Sequence, residues 1–248
     1  MNDPVPDSGE KYVLAFDGVS HQFGSVTVLE DISLEVKSGS LVAVIGPNGS
    51  GKTTLLRIAT GLLSPSSGTV NRPEEGIRPV GYLPQDPGIR ASMTVRETIE
   101  FYARLGNEST EVEAVLETTG LEEISDRRVD ALSGGMHQLL GLGLATLYDP
   151  SLVVLDEPAG SLDPRNSEHI FSVAAELTTN GTGVLVSTHK LEYVQKADNI
   201  LLLDDGEILI QMSPEELLDR TTEDSIADAF HSILGTGPTV QTGHEKET

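Results

Sequence analysis

The residues from Gly46 to Thr53 have the types and the spacing of a phosphate-binding loop. They read GPNGSGKT and match the pattern G-x-x-x-x-G-K-[ST]. The glycines Gly46, Gly49 and Gly51 let the backbone turn its N–H groups inward around a polyphosphate, at the N-terminus of a helix. Lys52 can then reach the β- and γ-phosphates, while the Thr53 hydroxyl can bind Mg²⁺. The pattern therefore predicts a site for a nucleoside triphosphate with Mg²⁺.

This loop stands between a predicted buried strand and a predicted helix. The strand is the apolar run LVAVI from Leu41, and the helix is expected to begin at Gly51 and to continue through Leu62. The alternative is a chance glycine turn, but all four fixed positions of the pattern occur in this strand, loop and helix context. The candidate phosphate contacts are Gly46, Pro47, Asn48, Gly49, Ser50, Gly51, Lys52 and Thr53.

Polar side chains also follow three other predicted strands. The apolar run SLVVLDEP has Asp156 and Glu157 at its end, and the predicted strand GTGVLVSTHK carries His189 at its C-terminal end. Gln85 lies just past a strand in RPVGYLPQD. Two carboxylates at a strand end can direct one acid towards a phosphate-bound Mg²⁺ and leave its neighbour to orient water. The amide of Gln85 could reach the metal or its water. In isolation, two acids in this position are also compatible with a solvated turn.

Three further features contain candidate functional residues. Phe23, in HQFG, is predicted on a turn where its ring could stack on a nucleotide base or pack into the sheet as a hairpin aromatic. LSGG, with Ser133, begins a predicted helix whose free N–H groups could hold an anion. Asp163 precedes Pro164, the predicted first residue of a helix that runs to Thr179.

The elements that must position these groups predict an α/β fold. From residue 11 the segments YVLAF and VTVLEDISLEV are predicted to form antiparallel strands. Apolar strands then alternate with helices, and short helices such as the capped MTVRETIEFYARL form a predicted insert. Polar groups collect at the carboxyl ends of the strands. This arrangement indicates a mostly parallel sheet with its ligand at that edge.

Composition and charge exclude several classes of function. The chain of 248 residues has 39 acidic and 16 basic residues, a formal net charge of -23, and no cysteine. Such a surface repels polyanions, so no nucleic acid partner is expected. The charge favours a halophilic, high-salt cytoplasm, where screening is short-ranged, over an ordinary acidic protein. No apolar run of about 18 residues is present, so a membrane-spanning segment is not expected.

Seven motifs in this order resemble the nucleotide-binding subunit of ABC transporters. They are HQFG, GPNGSGKT, GYLPQD, LSGG, LVVLDEP, SLDP and STH. The resemblance implies a P-loop NTPase core with a mostly parallel sheet, an N-terminal antiparallel β subdomain and an α-helical subdomain at about residues 86–148. It places the ATPase domain at residues 11–219. From the sequence itself, residues 1–10 are expected to be flexible, and residues 220–248 are expected to form a short helix and a disordered acidic tail.

The resemblance assigns the nucleotide contacts. Phe23 would stack on adenine, while Lys52, Thr53 and Thr54 would contact the phosphates and Mg²⁺ of ATP. Asp156 would hold Mg²⁺ through water.

The resemblance also assigns the catalytic and coupling residues. Glu157 would polarise the attacking water, and His189 would contact the γ-phosphate together with Lys52. Gln85 would sense Mg²⁺ and the γ-phosphate and pass that state to a membrane partner. Asp163 would couple two ATP sites.

The signature motif, Ser133, Gly134 and Gly135, acts on the ATP of a second subunit in this family. The resemblance therefore implies a head-to-tail dimer with a second ABC ATPase subunit, and we expect a homodimer rather than a heterodimer. One departure is Met136, which stands where the family usually has glutamine and cannot supply an amide's hydrogen bonds. The change could weaken the composite ATP site, which the phosphate-binding loop of one subunit forms with the signature motif of the other. It could also be a tolerated substitution, since methionine packs adaptably.

The expected function is an ATP-binding and ATP-hydrolysing subunit that drives a separate transmembrane permease from the cytoplasmic face of the membrane. MTVRETIEFYARL and the short tail favour an exporter. The alternative is a soluble ABC-type ATPase of a non-transport system, such as iron-sulfur cluster assembly. A DNA-repair type would carry a long coiled-coil insert, a translation type usually carries two cassettes, and a GTPase or small-molecule kinase would leave LSGG unexplained.

Overall fold

The computed structural model describes residues 11–106, 112–160, 162–221 and 223–235. The predicted flexible segment at residues 1–10 lies outside these ranges, as does the part beyond residue 235 of the segment predicted at 220–248. Ser161 of the SLDP motif is also outside them. In the described ranges, no helix is long and apolar enough to cross a membrane.

The described residues form nine strands and seven α-helices. The strands are β1 (Tyr12–Phe23), β2 (Val26–Lys37), β3 (Leu41–Ile45), β4 (Ser67–Asn71), β5 (Val80–Leu83), β6 (Leu152–Asp156), β7 (Gly183–Ser187), β8 (Asn199–Asp204) and β9 (Glu207–Met212). The helices are α1 (Lys52–Ala59), α2 (Val95–Ala103), α3 (Val112–Thr119), α4 (Gly134–Thr146), α5 (Pro164–Thr179), α6 (Pro214–Thr221) and α7 (Ile226–Ile233).

The N-terminal part of the chain forms a three-stranded antiparallel sheet, as predicted. Its order is β2-β1-β4, and β1 and β2 are joined by a tight hairpin in which Phe23 faces Val26. Phe23 is the last residue of β1 rather than part of the turn itself. Val19, Leu29 and Ile32 are fully buried beneath this sheet. Their burial anchors the hairpin to the rest of the molecule.

A six-stranded sheet, ordered β5-β6-β7-β3-β8-β9, carries the predicted parallel core. Only β9 runs antiparallel to its neighbour, and it forms a hairpin with β8. Every residue of β3, β6 and β7 is buried. Leu41, Ala43 and Ile45 pack in one hydrophobic cluster, while Val42 and Val44 pack in another. Layers on both faces of the sheet explain why these strands are apolar throughout.

Helix α1 is shorter than the sequence suggests. The predicted helix continues through Leu62, whereas α1 ends at Ala59. Gly61 has φ of 78°, a left-handed conformation that stops a helix, and Leu62 is 66% exposed. Leu62 therefore lies on the surface instead of extending the apolar face of α1.

Helices α2, α3 and α4 lie between β5 and β6, within the predicted range 86–148. The capping box predicted at the start of α2 is present, because Thr94 accepts from the Glu97 N–H and Glu97 accepts from the Thr94 N–H. α4 begins directly after Ser133, its N-cap. The insert thus presents the start of α4 as a defined, capped helix terminus.

Candidate functional site

The phosphate-binding loop connects the carboxyl end of β3 to α1 with glycines that a larger residue could not replace. Gly46 has φ of 156°, and a Cβ atom there would lie 2.0 Å from the carbonyl oxygen of Leu203 on β8. Gly51 has φ of 106°, and its Cβ would lie 2.9 Å from the carbonyl oxygen of Val28. Neighbouring strands therefore press on the loop backbone from both sides, and only glycine fits.

Lys52 places its own positively charged ammonium group inside this loop. Its side chain is buried, and its Nζ donates to the carbonyl oxygens of Gly46 and Pro47 at 2.9 Å each. Burial lowers the pKa of the Lys52 ammonium below its ordinary value, and the negative charges of Glu157 and Asp156 oppose that shift. The loop thus encloses an ammonium group beside inward-turned backbone, which suits a polyphosphate.

Asp156 is fixed at the carboxyl end of β6. It is 2% exposed, and its Oδ1 accepts from the Ser187 hydroxyl at 2.8 Å and from the Thr53 hydroxyl at 3.3 Å. Ser187 reaches it because β6 and β7 are parallel neighbours in which these two residues face each other. A carboxylate and a threonine hydroxyl therefore converge from β6 and α1.

Glu157, the next residue, adopts a backbone conformation that is uncommon outside glycine. Its φ is 47°, and its N–H donates to the hydroxyl of Ser187 at 2.9 Å. Its Oε2 accepts from the backbone N–H of His189 at 3.3 Å and lies 2.7 Å from His189 Nδ1. Left-handed residues held by surrounding contacts concentrate at functional sites. The turn after β6 thus directs two adjacent carboxylates to different partners.

These groups line one cavity of about 540 Å³. Its walls are formed by Val28, Asn48, Gly49, Gly51, Lys52, Thr53, Thr54, Gln85, Glu157 and His189. Five separate segments of the chain meet there: four follow the carboxyl end of a strand, and the fifth, Val28, lies on β2. The structure therefore brings together the loop residues, Gln85, Glu157 and His189, with Asp156 buried behind Thr53.

Phe23 is not part of that cavity wall. It lies at the end of β1 with 51% of its surface exposed, and its ring meets that of His21 edge to face with the centroids 4.6 Å apart. The alternative of an aromatic side chain buried in the sheet therefore does not hold. Half of the ring is available to stack on a planar group.

The signature residues and Asp163 lie together but apart from the cavity. Ser133 and Gly134 are exposed at the start of α4, and Ser133 accepts from the Met136 N–H at 3.3 Å. A Cβ on Gly135 would lie 2.6 Å from Asn166 Nδ2, so α4 packs closely against α5. Asp163 caps α5. The starts of these two helices form one exposed surface.

Asp163 is held by its capping contacts. Its carboxylate accepts from the Asn166 N–H at 3.1 Å and from Asn166 Nδ2 at 2.6 Å. The hydrogen bond from the Asn166 backbone has the largest effect, and together these bonds hold the pKa of the Asp163 carboxyl below its ordinary value of 3.8. Asp163 is therefore anionic at neutral pH on an exposed surface.

Sequence reasoning missed two residues of this site. Ser187 positions both Asp156 and Glu157, and Val28 lines the cavity from β2. Ser187 immediately precedes the Thr-His pair of the STH motif, which is the one signal that could have drawn attention to it. Val28 has no sequence signal, since its role depends on how the two sheets pack.

The residues present fit ATP and Mg²⁺. Within the described ranges, no cluster of three or more His, Cys, Asp or Glu side chains could hold a metal ion. Mg²⁺ does not need one, because it is usually held by one or two protein carboxylates together with substrate phosphates and water. The converging oxygens of Thr53 and Asp156 meet that requirement. Ser50 Oγ is also buried in the loop without a hydrogen-bond partner among the described residues.

Comparison with known proteins gives one consistent result. A sequence profile described as ABC transporter matches residues 29–160. The Nod factor export ATP-binding protein I of Mesorhizobium japonicum is 32% identical over 230 residues, which cover 87% of this chain and 68% of that protein.

Solved structures agree with this result. The ATP-binding subunit of an ABC transporter superposes with a TM-score of 0.79 at 25% identity, covering 90% of this chain and 99% of that one. A dimeric bacterial ABC transporter cassette gives a TM-score of 0.72 at 26% identity, covering 81% and 98%.

Proposed function

The chain belongs to the ABC transporter family of ATP-binding ATPases, and on that premise we propose that it closes head to tail with a second cassette and drives a separate membrane permease. The observation that carries this proposal is the separation of the signature residues from the cavity of their own chain. Ser133 and Gly134 are exposed at the start of α4, where a second subunit could receive them. We propose residues 11–219 as the ATPase domain and about 86–148 as its helical subdomain.

The loop from Gly46 to Thr54 binds the triphosphate in this proposal. Lys52 neutralises phosphate charge, and the backbone around Gly49 donates N–H groups. Thr53 and Asp156 would hold Mg²⁺, and Gln85, which also lines the cavity, would be a further ligand. When bound, Mg²⁺ polarises the phosphoryl oxygens and neutralises the charge that develops on them.

Glu157 acts on the attacking water. His189 contacts Glu157 through two nitrogens, and both contacts go to Oε2. This leaves Oε1 as the oxygen that can accept a proton from water. The Glu157 side chain is only 12% exposed, so it is protected from bulk solvent while the cavity remains open to substrate. His189, with a side chain that is 54% exposed, can also turn towards the γ-phosphate.

Phe23 contributes the base contact. Its exposed ring lies at the end of the β1–β2 hairpin, and Val28 of the same hairpin lines the cavity. Stacking accepts any planar base and contributes about 1 to 3 kcal/mol. This position suits adenine on a nucleotide whose phosphates reach the loop.

A separate permease and an export direction are supported by similarity. The relative described above is named as an export ATP-binding protein, and the chain covers two thirds of it. We place this chain at the cytoplasmic face of the membrane, bound through its permease. The second candidate is a soluble ABC-type ATPase of iron-sulfur cluster assembly, which the same fold would serve.

Affinity purification separates these two candidates. A tagged chain purified from a detergent extract of its native membranes should retain a polytopic membrane protein, and the complex should hydrolyse ATP. A Lys52→Ala variant is the matched control, since it should bind the same permease without turnover. Recovery of soluble partners alone from both variants would reject the transport role.

The effect of Met136 on the proposed ATP site between the two subunits can be tested by substitution. Its Sδ lies 3.9 Å from a guanidinium nitrogen of Arg127, and the side chain is partly buried. We propose a homodimer in which this methionine is a tolerated substitution, so Met136→Gln should leave the steady-state ATPase rate within about twofold of the parent. An increase of about tenfold would instead show that methionine weakens each composite site, about 1.4 kcal/mol of lost stabilisation.

We also propose that the protein is halophilic. The formal net charge of -23 on 248 residues destabilises a compact state by self-repulsion at low ionic strength. At about 1 M salt the screening length falls to about 3 Å, and this repulsion becomes short-ranged.

A further inference from the structure

Gln138 links two parts of the chain that serve different ATP sites. It lies in the second turn of α4, and its Nε2 donates to the backbone carbonyl oxygen of Gln85 at 2.7 Å. The acceptor is a carbonyl oxygen, so the amide must present its NH₂ group. The helix that begins with the signature residues is thereby bonded to the loop that lines the phosphate cavity.

Helix α4 also packs closely against the residues on either side of Gln85. One turn beyond Gln138, a Cβ on Gly141 would lie 2.6 Å from Leu83 Cδ1 and 3.1 Å from Pro87 Cγ. These two residues flank Gln85 in the chain. Because such packed surfaces do not deform continuously, a displacement of the Gln85 loop must also displace α4.

Only one end of the Gln138 amide makes a stabilising hydrogen bond among the described residues. Oε1 of Gln138 is buried and has no hydrogen-bond partner in the described part of the chain. A buried polar group without a partner is unfavourable, and an apolar side chain of similar size would avoid that cost. The donor contact to Gln85 is the feature that an apolar side chain could not reproduce.

We propose that Gln138 is a positioning residue that couples the two ATP sites of the dimer. The inference rests on the proposed function, in which Gln85 borders the ATP of its own chain and Ser133 to Gly135 complete the ATP site of the partner. A change at Gln85 on ATP binding passes through Gln138 to α4. The signature residues of that chain then take the position that closes the second site.

The test compares Gln138→Leu with Thr146→Val. Leucine retains the volume and removes the donor. Thr146 lies at the other end of α4, and its hydroxyl donates to Leu142 and Gly143 within the helix, so its loss perturbs the same helix without touching Gln85. The readouts are the dissociation constant for a fluorescent ATP analogue, the turnover number and the Hill coefficient for ATP.

Gln138→Leu should bind the analogue within about twofold of the parent, while its Hill coefficient falls to about 1 and its turnover number falls about fivefold or more, the lower end of typical coupling factors. Thr146→Val should match the parent in all three. Gln138→Glu also lacks the donor but keeps the length and polarity of the side chain, so it carries the same expectation if the leucine variant does not fold.

Parental cooperativity and turnover in a folded Gln138 variant would overturn the inference. A variant that loses analogue binding to the same extent as turnover would also overturn it, because the effect would then be structural. Failure of the parent itself to dimerise with ATP would instead refute the proposed function, so the two failures are distinguishable.

Discussion

At the scale of single residues, Ser187 organises the two carboxylates on which the chemistry depends. Its hydroxyl donates to Asp156 Oδ1 and accepts from the N–H of Glu157. It is completely buried, so water cannot replace these contacts. One hydroxyl therefore fixes the proposed metal ligand and the left-handed turn that places the proposed base.

Replacing this hydroxyl should impair metal-dependent activity without abolishing nucleotide binding. We expect Ser187→Ala to raise the Mg²⁺ concentration for half-maximal ATPase activity about 10- to 100-fold, the usual cost of losing a residue that orients a metal ligand. The measurement is an Mg²⁺ titration of the steady-state rate. Ser172→Ala, which removes a hydroxyl from the exposed face of α5, is the control. An unchanged Mg²⁺ requirement in Ser187→Ala would contradict this role.

Residue types and spacing predicted the residues that line the cavity better than the residues that position them. Lys52, Glu157 and His189 could be selected because each follows an apolar strand at a recognisable spacing. Ser187 begins the STH motif, but the motif does not reveal its role, since that role depends on which residue of β6 faces it across the sheet. Gln138 was overlooked because a glutamine on a helix gives no signal of a contact with Gln85.

At the scale of elements, the starts of α4 and α5 form one surface because both helices are capped at the point where they meet. Ser133 caps α4 and Asp163 caps α5. Gly135 and Asn166 lie in contact just inside the two caps. The negative charge of Asp163 also lies at the positive end of its helix dipole, which favours it.

The cap at Asp163 should give a pH-dependent stability. Its pKa is lowered in the folded state, so its contribution is fully present above the unfolded value of 3.8 and is lost as pH falls through the folded value. We expect the difference in unfolding free energy between the parent and Asp163→Ala to be largest near neutral pH and to shrink below about pH 4. Urea unfolding at several pH values measures it.

Asp163→Ser provides the control for this experiment. Serine keeps a cap acceptor without a titrating charge, so its difference from Asp163→Ala should change little with pH. If the difference in unfolding free energy between the parent and Asp163→Ala stays constant down to pH 3, the charge of the Asp163 carboxylate does not contribute to the stability of the cap.

The order of strands and helices could be predicted because strands buried on both faces appear as short apolar runs. The end of α1 could not, since Leu62 continues the apolar spacing and only the left-handed Gly61 marks the stop. The packing of β2 against the phosphate loop, which brings Val28 to the cavity, also depends on contacts between distant segments.

At the scale of the whole molecule, the charge acts on stability rather than on the fold. The acidic excess, 39 residues against 16 basic ones, leaves the two hydrophobic clusters unaffected because neither cluster contains an acidic residue. Self-repulsion adds to the free energy of the folded state at low salt. The protein should therefore depend on ionic strength in a way that an evenly charged relative does not.

A melting series in KCl tests this dependence. We expect the midpoint to rise from low salt to molar KCl, by about 2 to 4 °C for each kcal/mol of repulsion removed. A parallel series with sucrose, which favours the folded state without screening charge, is the control. Equal midpoints across the KCl series would contradict the high-salt assignment.

The most direct test of the whole account is the behaviour of Glu157→Gln with ATP and Mg²⁺. This variant keeps Lys52 and Thr53, so it should bind ATP, and it lacks the carboxylate that accepts the proton of water. We expect turnover to fall about 10²- to 10⁴-fold, the usual contribution of a general base. Light scattering after gel filtration should show a monomer without nucleotide and a dimer with ATP and Mg²⁺.

Adding Lys52→Ala to Glu157→Gln is the matched control, and the double variant should stay monomeric in ATP. A Glu157→Gln protein that forms the ATP-dependent dimer and does not turn over is the predicted result. A variant that remains monomeric with ATP, or that hydrolyses ATP at the parental rate, would contradict the composite site.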